Sequence, residues 1–202
     1  MSDARKNSVS QLAELYTVVI GVALSLSIIN TVDSSSAGLP LRLDRLTNLA
    51  TILVLIIPFY HGAVRHLFAT YVEPGGATGI KRGALLADFV LLFIEGCLFV
   101  MIANLIGATP KMAWAMVTLL LLDSVWGFLA WLAFSGPQAQ FAEQRWALIN
   151  VCAAVPLIVL LILKRSVPLT DDIGFQFILL SILSLRTIVD YVTCWTHYFP
   201  DE

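Results

Sequence analysis

Six apolar stretches, each about as long as a bilayer is thick, constrain this chain more than any other feature of its sequence. A helix that crosses a membrane needs about 20 mostly apolar residues. The stretches fall at 11–32, 47–72, 83–107, 112–135, 144–163 and 174–198. Helix breakers separate them: Gly38-Leu39-Pro40, Pro74-Gly75-Gly76, Thr109-Pro110, Ser135-Gly136-Pro137, and Val167-Pro168 followed by Asp171-Asp172. The expected fold class is therefore all-α: a single polytopic membrane bundle over residues 1–202, about six helices, with no soluble domain. The short loops predict that consecutive helices are antiparallel neighbours.

Composition supports this reading. Apolar residues make up 58% of the chain, charged residues 13%, and the mean hydropathy is +0.85. A soluble domain is about 45–50% apolar and about 25% charged. A net charge of −2 without a basic patch argues against nucleic acid as a partner. Cys97, Cys152 and Cys194 lie in apolar stretches with no metal-binding spacing and read as three buried thiols acting as small hydrophobes. No enzyme motif is present: there is no GxSxG, P-loop, Rossmann glycine pattern or HExxH. The expectation is accordingly a non-enzyme with no catalytic residues, no metal site and no cofactor, and with the lipid bilayer as its first partner.

The beginning of the chain invites comparison with a signal peptide, Ser36-Ala37-Gly38 standing as a cleavage site. The uncharged run from Leu15 to Val32 exceeds the about 7–15 residues of a signal core, so it reads as a retained first span. Ser8-Val9-Ser10-Gln11 has a capping-box pattern that would start it. Trp114, Trp131, Trp146 and Trp195 sit near span ends, as interfacial aromatics do, whereas Trp126 is mid-span. Arg5, Lys6, Lys81, Arg82 and Arg145 fall on one side, and Arg42, Arg45, Lys111, Lys164 and Arg165 on the other. Arg65 tips this tie toward both termini inside. The expected location is a bacterial cytoplasmic (inner) membrane. Leu39, Leu41, Leu43 and Leu46, interleaved with charges, would lie along the interface.

Charges within the spans carry the functional question, because each costs roughly 2.5–3.5 kcal/mol at mid-membrane on insertion scales. In span six, Arg186, Asp190, Thr193 and His197 fall within about 60° of one another on a helical wheel. Arg186 and Asp190 can pair along the helix. In span three, Asp88 and Glu95 share a face, and either can pair with Arg65 of the neighbouring span two or bind a cation. His61 and Arg65 are four apart, with His66 adjacent. Asp123 in span four has no partner on its own helix, and Arg186 is one candidate. These residues form an expected intramembrane polar network. Thr17, Gly21 and Ser25 recur every four residues on span one, as a close packing face or as a pore lining. Pro58 and Pro156 sit inside spans two and five and are candidate kinks.

Span one, with Tyr16-Thr17-Val18-Val19-Ile20-Gly21, and the end of span two, Phe59-Tyr60-His61 through His66-Leu67-Phe68, resemble the small bacterial six-helix potassium channels related to the lysosomal potassium channel. That family opens its first helix with an aromatic-Ser-Asp-Gly signature preceded by an Arg. Here the aromatic and hydroxyl match, Val18 and Val19 replace the Asp and Gly, and Leu12 stands at the Arg position. The resemblance covers spans one to three at most. It implies a pore lined by the first helix and potassium as the ion.

The leading expectation is a homo-oligomeric ion-conducting membrane protein, a cation channel or pore with the intramembrane charges supporting or gating it. A membrane-embedded interaction, sensor or effector subunit for a soluble protein partner is the first alternative. A proton-coupled small-solute transporter using Asp88, Glu95 or Asp123 is the second.

Overall fold

The computed structural model describes residues 3–32, 42–73, 82–133, 137–166 and 172–200. Six long helices cross the molecule: α1 (Asp3–Thr31), α2 (Leu43–Tyr71), α3 (Arg82–Asn104), α4 (Thr109–Ala133), α5 (Pro137–Ser166) and α6 (Asp172–Thr193). A single turn, α7 (Trp195–Tyr198), follows. All six are long and apolar enough to span a membrane, so the protein is an integral, multi-pass, all-α membrane protein. Large apolar side chains point outward along them, Val192 being 71% exposed. Such surface is stable against lipid or another protein surface; Cys97 and Cys152 are exposed too, against the expectation of buried thiols, and of the three only Cys194 is buried. The six crossings put both termini on one side, hereafter the near side.

Neighbours in sequence are not always neighbours in space. The most extensive packing joins α4 to α5, α1 to α3, and α2 to α6, while α2 and α3 touch little. The expectation of consecutive antiparallel pairs therefore holds for α4–α5, α1–α2, α5–α6 and α3–α4 and fails for α2–α3. Helix α1 runs unbroken through Ser8-Val9-Ser10-Gln11, where Ser10 bonds to Glu14 at 3.2 Å, so the capping-box pattern does not mark its start. Pro110 and Pro137 stand in the first turn of α4 and α5, where a missing N–H costs nothing. Pro58 leaves the carbonyl of Val54 without its helical donor, and Thr187 of α6 supplies one at 3.0 Å. Gly38-Leu39-Pro40, Pro74-Gly75-Gly76, Ser135-Gly136, Val167-Pro168 and Asp171, the Ser36-Ala37-Gly38 site, Lys81, and Leu41 of the interfacial stretch lie outside the described residues.

The half of the bundle away from the termini is closed. Ile52, Leu55, Phe99, Ile102, Met116, Leu120, Leu179 and Leu183 are fully buried there. Beyond them, side chains bond to polar groups near the ends of neighbouring helices. Asn48 donates to Ile106 O (2.8 Å) and Thr109 (2.9 Å), Asn30 to Ala103 O (3.1 Å), and Gln176 to Asp44 O (3.1 Å). Arg45 donates to Asn30 O at 2.6 Å. Lys164 and Asp172 pair at 2.8 Å across the α5–α6 turn.

Candidate functional site: a carboxyl-lined cavity inside the bundle

The near half holds a cavity of about 50 Å3 among α2, α3, α4, α5 and α6. That is room for a few waters or one small cation. Five carboxyl side chains line it: Asp88, Glu95, Asp123, Glu143 and Asp190. Arg186 and His66 are the basic groups that face them. Counted at 1.5 Å per residue, Glu95 lies about 18 Å in from Gly83 and Asp190 about 5 Å in from Thr193, so the carboxyls step from the near edge to mid-membrane.

Each side chain is placed by its helix. The buried positions of α6 recur at Phe175, Gln176, Leu179, Leu183, Arg186 and Asp190, one face of a 3.6-residue period. Arg186 Nη1 approaches Asp190 Oδ2 at 3.2 Å, confirming the pairing along span six. Its Nε donates to Asn150 Oδ1 at 2.9 Å, and Asn150 donates to Asp123 Oδ2 at 2.5 Å. Asn150 is thus the bridge between Asp123 and Arg186. The guanidinium also lies 4.9 Å from the Phe59 ring centre. Glu95 faces Asp123 across the cavity, with Tyr16 of α1 behind it.

Nearer the edge, His66 stands between two carboxyls. Its Nδ1 is 3.0 Å from Glu143 Oε1 and its Nε2 is 3.4 Å from Asp88 Oδ2. An imidazole donates from both nitrogens only as the imidazolium. Tyr71 Oη donates to the same Asp88 oxygen at 2.5 Å. One oxygen each of Asp88, Glu95, Glu143 and Asp190 is buried without a protein partner. Carboxyl oxygens left so in an apolar surround demand a proton or a cation.

Two expected partnerships are corrected here. Arg65 does not meet Asp88 or Glu95, because α2 presents His66 to α3 and turns Arg65 toward the chain's end. Arg65 pairs with Glu73 and donates from Nε to the His197 carbonyl at 2.8 Å. His197 does not continue the span-six stripe: the helix stops at Thr193, which is exposed, and the chain folds back through α7. The residue returned to the stripe is Tyr198, whose hydroxyl donates to Asp190 Oδ2 at 3.1 Å. Tyr198 packs at a tilt against His61, ring centres 4.7 Å apart, and His61 Nδ1 lies 3.2 Å from the Tyr191 hydroxyl. Gly62 admits Tyr198, since a Cβ there would lie 3.3 Å from its hydroxyl. Trp146 packs inside this cluster instead of at a lipid interface, and mid-span Trp126 lines the cavity.

Sequence reading missed Glu143, Asn150, Tyr71 and Tyr198. Glu143 falls one residue outside the fifth apolar stretch, and Asn150 is uncharged. Thr17, Gly21 and Ser25 lie away from the cavity, exposed on the outer face of α1. Thr17 bonds to Ala13 O (2.8 Å) and to the Tyr60 hydroxyl (3.0 Å), and Ser25 to Gly21 O (2.8 Å).

The α7 latch carries its own pH dependence. Burial, with Arg65 next in effect, lowers the His197 pKa to about 4, while hydrogen bonding to Arg65 holds Glu73 below the usual carboxyl range. A histidine whose folded pKa is depressed adds stability above its unfolded pKa of about 6.5, and that stability is lost as pH falls toward 4. Here it is worth at most about 3 kcal/mol. Glu73 is shifted away from that window and His197 into it, so His197 is the group expected to release α7. With Cys97 and Cys152 replaced by serine, the reactivity of buried Cys194 toward dithiodipyridine, divided by that of a free thiol at the same pH, should be at least tenfold higher at pH 4.5 than at pH 7.5. His197→Gln should abolish the difference; a difference that survives it places the sensor elsewhere.

Among known proteins, no family model, no curated protein and no solved structure matches this chain.

Proposed function

We propose that the chain moves protons or small monovalent cations across the membrane, with the cavity inside each protomer as the binding station. The observation that carries this reading is the surplus of carboxyls over basic groups in an intramembrane cavity. Intramembrane ionisable residues are expensive, and unpaired ones mark ion and proton paths. Glu95 and Asp123 cannot both stay charged against one another without a shared proton or cation. Arg186 and His66 hold the remaining carboxyls in place and set how much positive charge the cavity can still accept. Because the far half is closed by apolar side chains, transport requires that half to open while the near half shuts.

A second reading has its own support. Thr17, Gly21 and Ser25 face outward, so in an oligomer they can line a central pore, as the resemblance to the six-helix potassium channels implies.

One flux measurement separates the readings. Proteoliposomes are tested for proton uptake driven by a potassium diffusion potential, and in parallel for potassium and sodium flux, against empty liposomes. Glu95→Gln and Asp123→Asn should each lower the rate at least tenfold, and Ser25→Trp should leave it unchanged. Flux that ignores both carboxyl variants but stops with Ser25→Trp moves the path to α1. A folded protein without flux rejects transport and leaves the interaction subunit for a soluble partner.

A further inference from the structure

The outer seam between α5 and α6 carries an apolar groove of about 750 Å3 in the near half of the bundle. Leu148, Ile149 and Cys152 of α5 face Leu185 and Val189 of α6 across it. It begins at Arg145, beside Thr193, and ends at Pro156, beside Ile182. The eleven-residue rise from Arg145 to Pro156 is about 16 Å. One leaflet of a bilayer core is about 15 Å thick. The groove thus has the length of one acyl chain of the near leaflet and an arginine at the headgroup end.

Arg145 is suited to a phosphate. Its side chain is exposed, and one N–H is spent on the Thr193 carbonyl, an open acceptor in the last turn of α6. A guanidinium carries five N–H donors in a fork that matches phosphate oxygens. Among the described residues no carboxylate pairs with it. The seam continues into the other leaflet as a shallower groove along Val159, Leu163 and Ile178, but there Lys164 is already bound to Asp172. The floor of the near groove includes Arg186, which also lines the carboxyl cavity.

We infer that this groove is a binding site for an anionic phospholipid of the near leaflet, with the phosphate on Arg145 and one acyl chain between α5 and α6. The site stands independently of whether the cavity transports ions.

Native mass spectrometry of the delipidated full chain, titrated with phosphatidylglycerol or phosphatidylcholine of the same acyl chains, tests it. Phosphatidylglycerol should bind at least fivefold more tightly. Arg145→Gln should erase that preference while phosphatidylcholine binding persists, which separates loss of the headgroup contact from unfolding. Arg145→Lys should keep part of the preference. Cys152→Trp, which narrows the groove, should lower occupancy by both lipids at least threefold, and Arg165→Gln in the other leaflet should change nothing. Equal binding of the two lipids, or a preference that survives Arg145→Gln or is lost with Arg165→Gln, overturns the assignment.

Discussion

Replacing Arg186 with methionine is expected to cost about 3–5 kcal/mol of stability, the usual penalty for removing one partner of a buried ion pair. Three contacts disappear together. Asp190, fully buried, keeps Tyr198 as its donor and loses its cation. Asn150 loses the donor that orients it toward Asp123. Phe59 loses the guanidinium beside its ring. Total stabilities of about 5–15 kcal/mol leave little margin for such a loss. Unfolding in detergent, followed by near-ultraviolet dichroism, should show the midpoint collapse. The paired variant Arg186→Met/Asp190→Leu should recover at least half of the loss, because removing both charges removes the burial penalty as well. A single variant costing under about 1 kcal/mol would mean that water in the cavity, and not Arg186, compensates Asp190.

The helices of this protein are legible in its sequence because bilayer thickness fixes their length, and nothing about pairing is needed to count them. The Arg186–Asp190 pair is legible for a related reason: both residues lie on one helix, and helical geometry alone brings them together. What spacing along one helix does not contain is the choice of neighbour. Arg65 looked available to Asp88 and Glu95 because α2 and α3 are consecutive, yet α3 packs on α1 and α2 packs on α6. The position beside Asp88 went to His66, one residue from Arg65 and about 100° around the helix. Arg65 was the candidate partner for Glu95 and Arg186 for Asp123, yet the bundle turned the two carboxyls toward one another, which no pairing rule between opposite charges anticipates. Tyr198 reaches Asp190 only because the chain folds back at Cys194, where the apolar period of span six gives no warning of an end.

Two glycine substitutions should separate folding from assembly, with the larger effect at Gly127. A Cβ at Gly127 would lie 2.9 Å from the backbone oxygen of Glu143 and 3.4 Å from the Ala147 Cβ. The obstacle is the main chain of α5, which gives way only if the helix moves. Between helices in lipid, little hydrophobic force replaces lost contact, so close approach of small residues is what holds α4 to α5. Gly127→Leu should therefore cost about 3 kcal/mol, the upper range for an overpacked site. It should also draw Glu143 away from His66, now 3.0 Å apart, so that the carboxyl cavity opens even in the protein that remains folded. At Gly21 the same change meets no atom within 4 Å of the new Cβ, and the residue faces outward. Gly21→Leu should leave the detergent unfolding midpoint within about 0.5 kcal/mol of the original, as surface substitutions do. If α1 meets a second copy of the chain through Thr17, Gly21 and Ser25, that variant should lower the oligomer's mass in light scattering while the protomer stays folded. A midpoint that falls with Gly21→Leu as far as with Gly127→Leu would show that the α1 stripe packs inside the folding unit, which is then the oligomer and not the single chain.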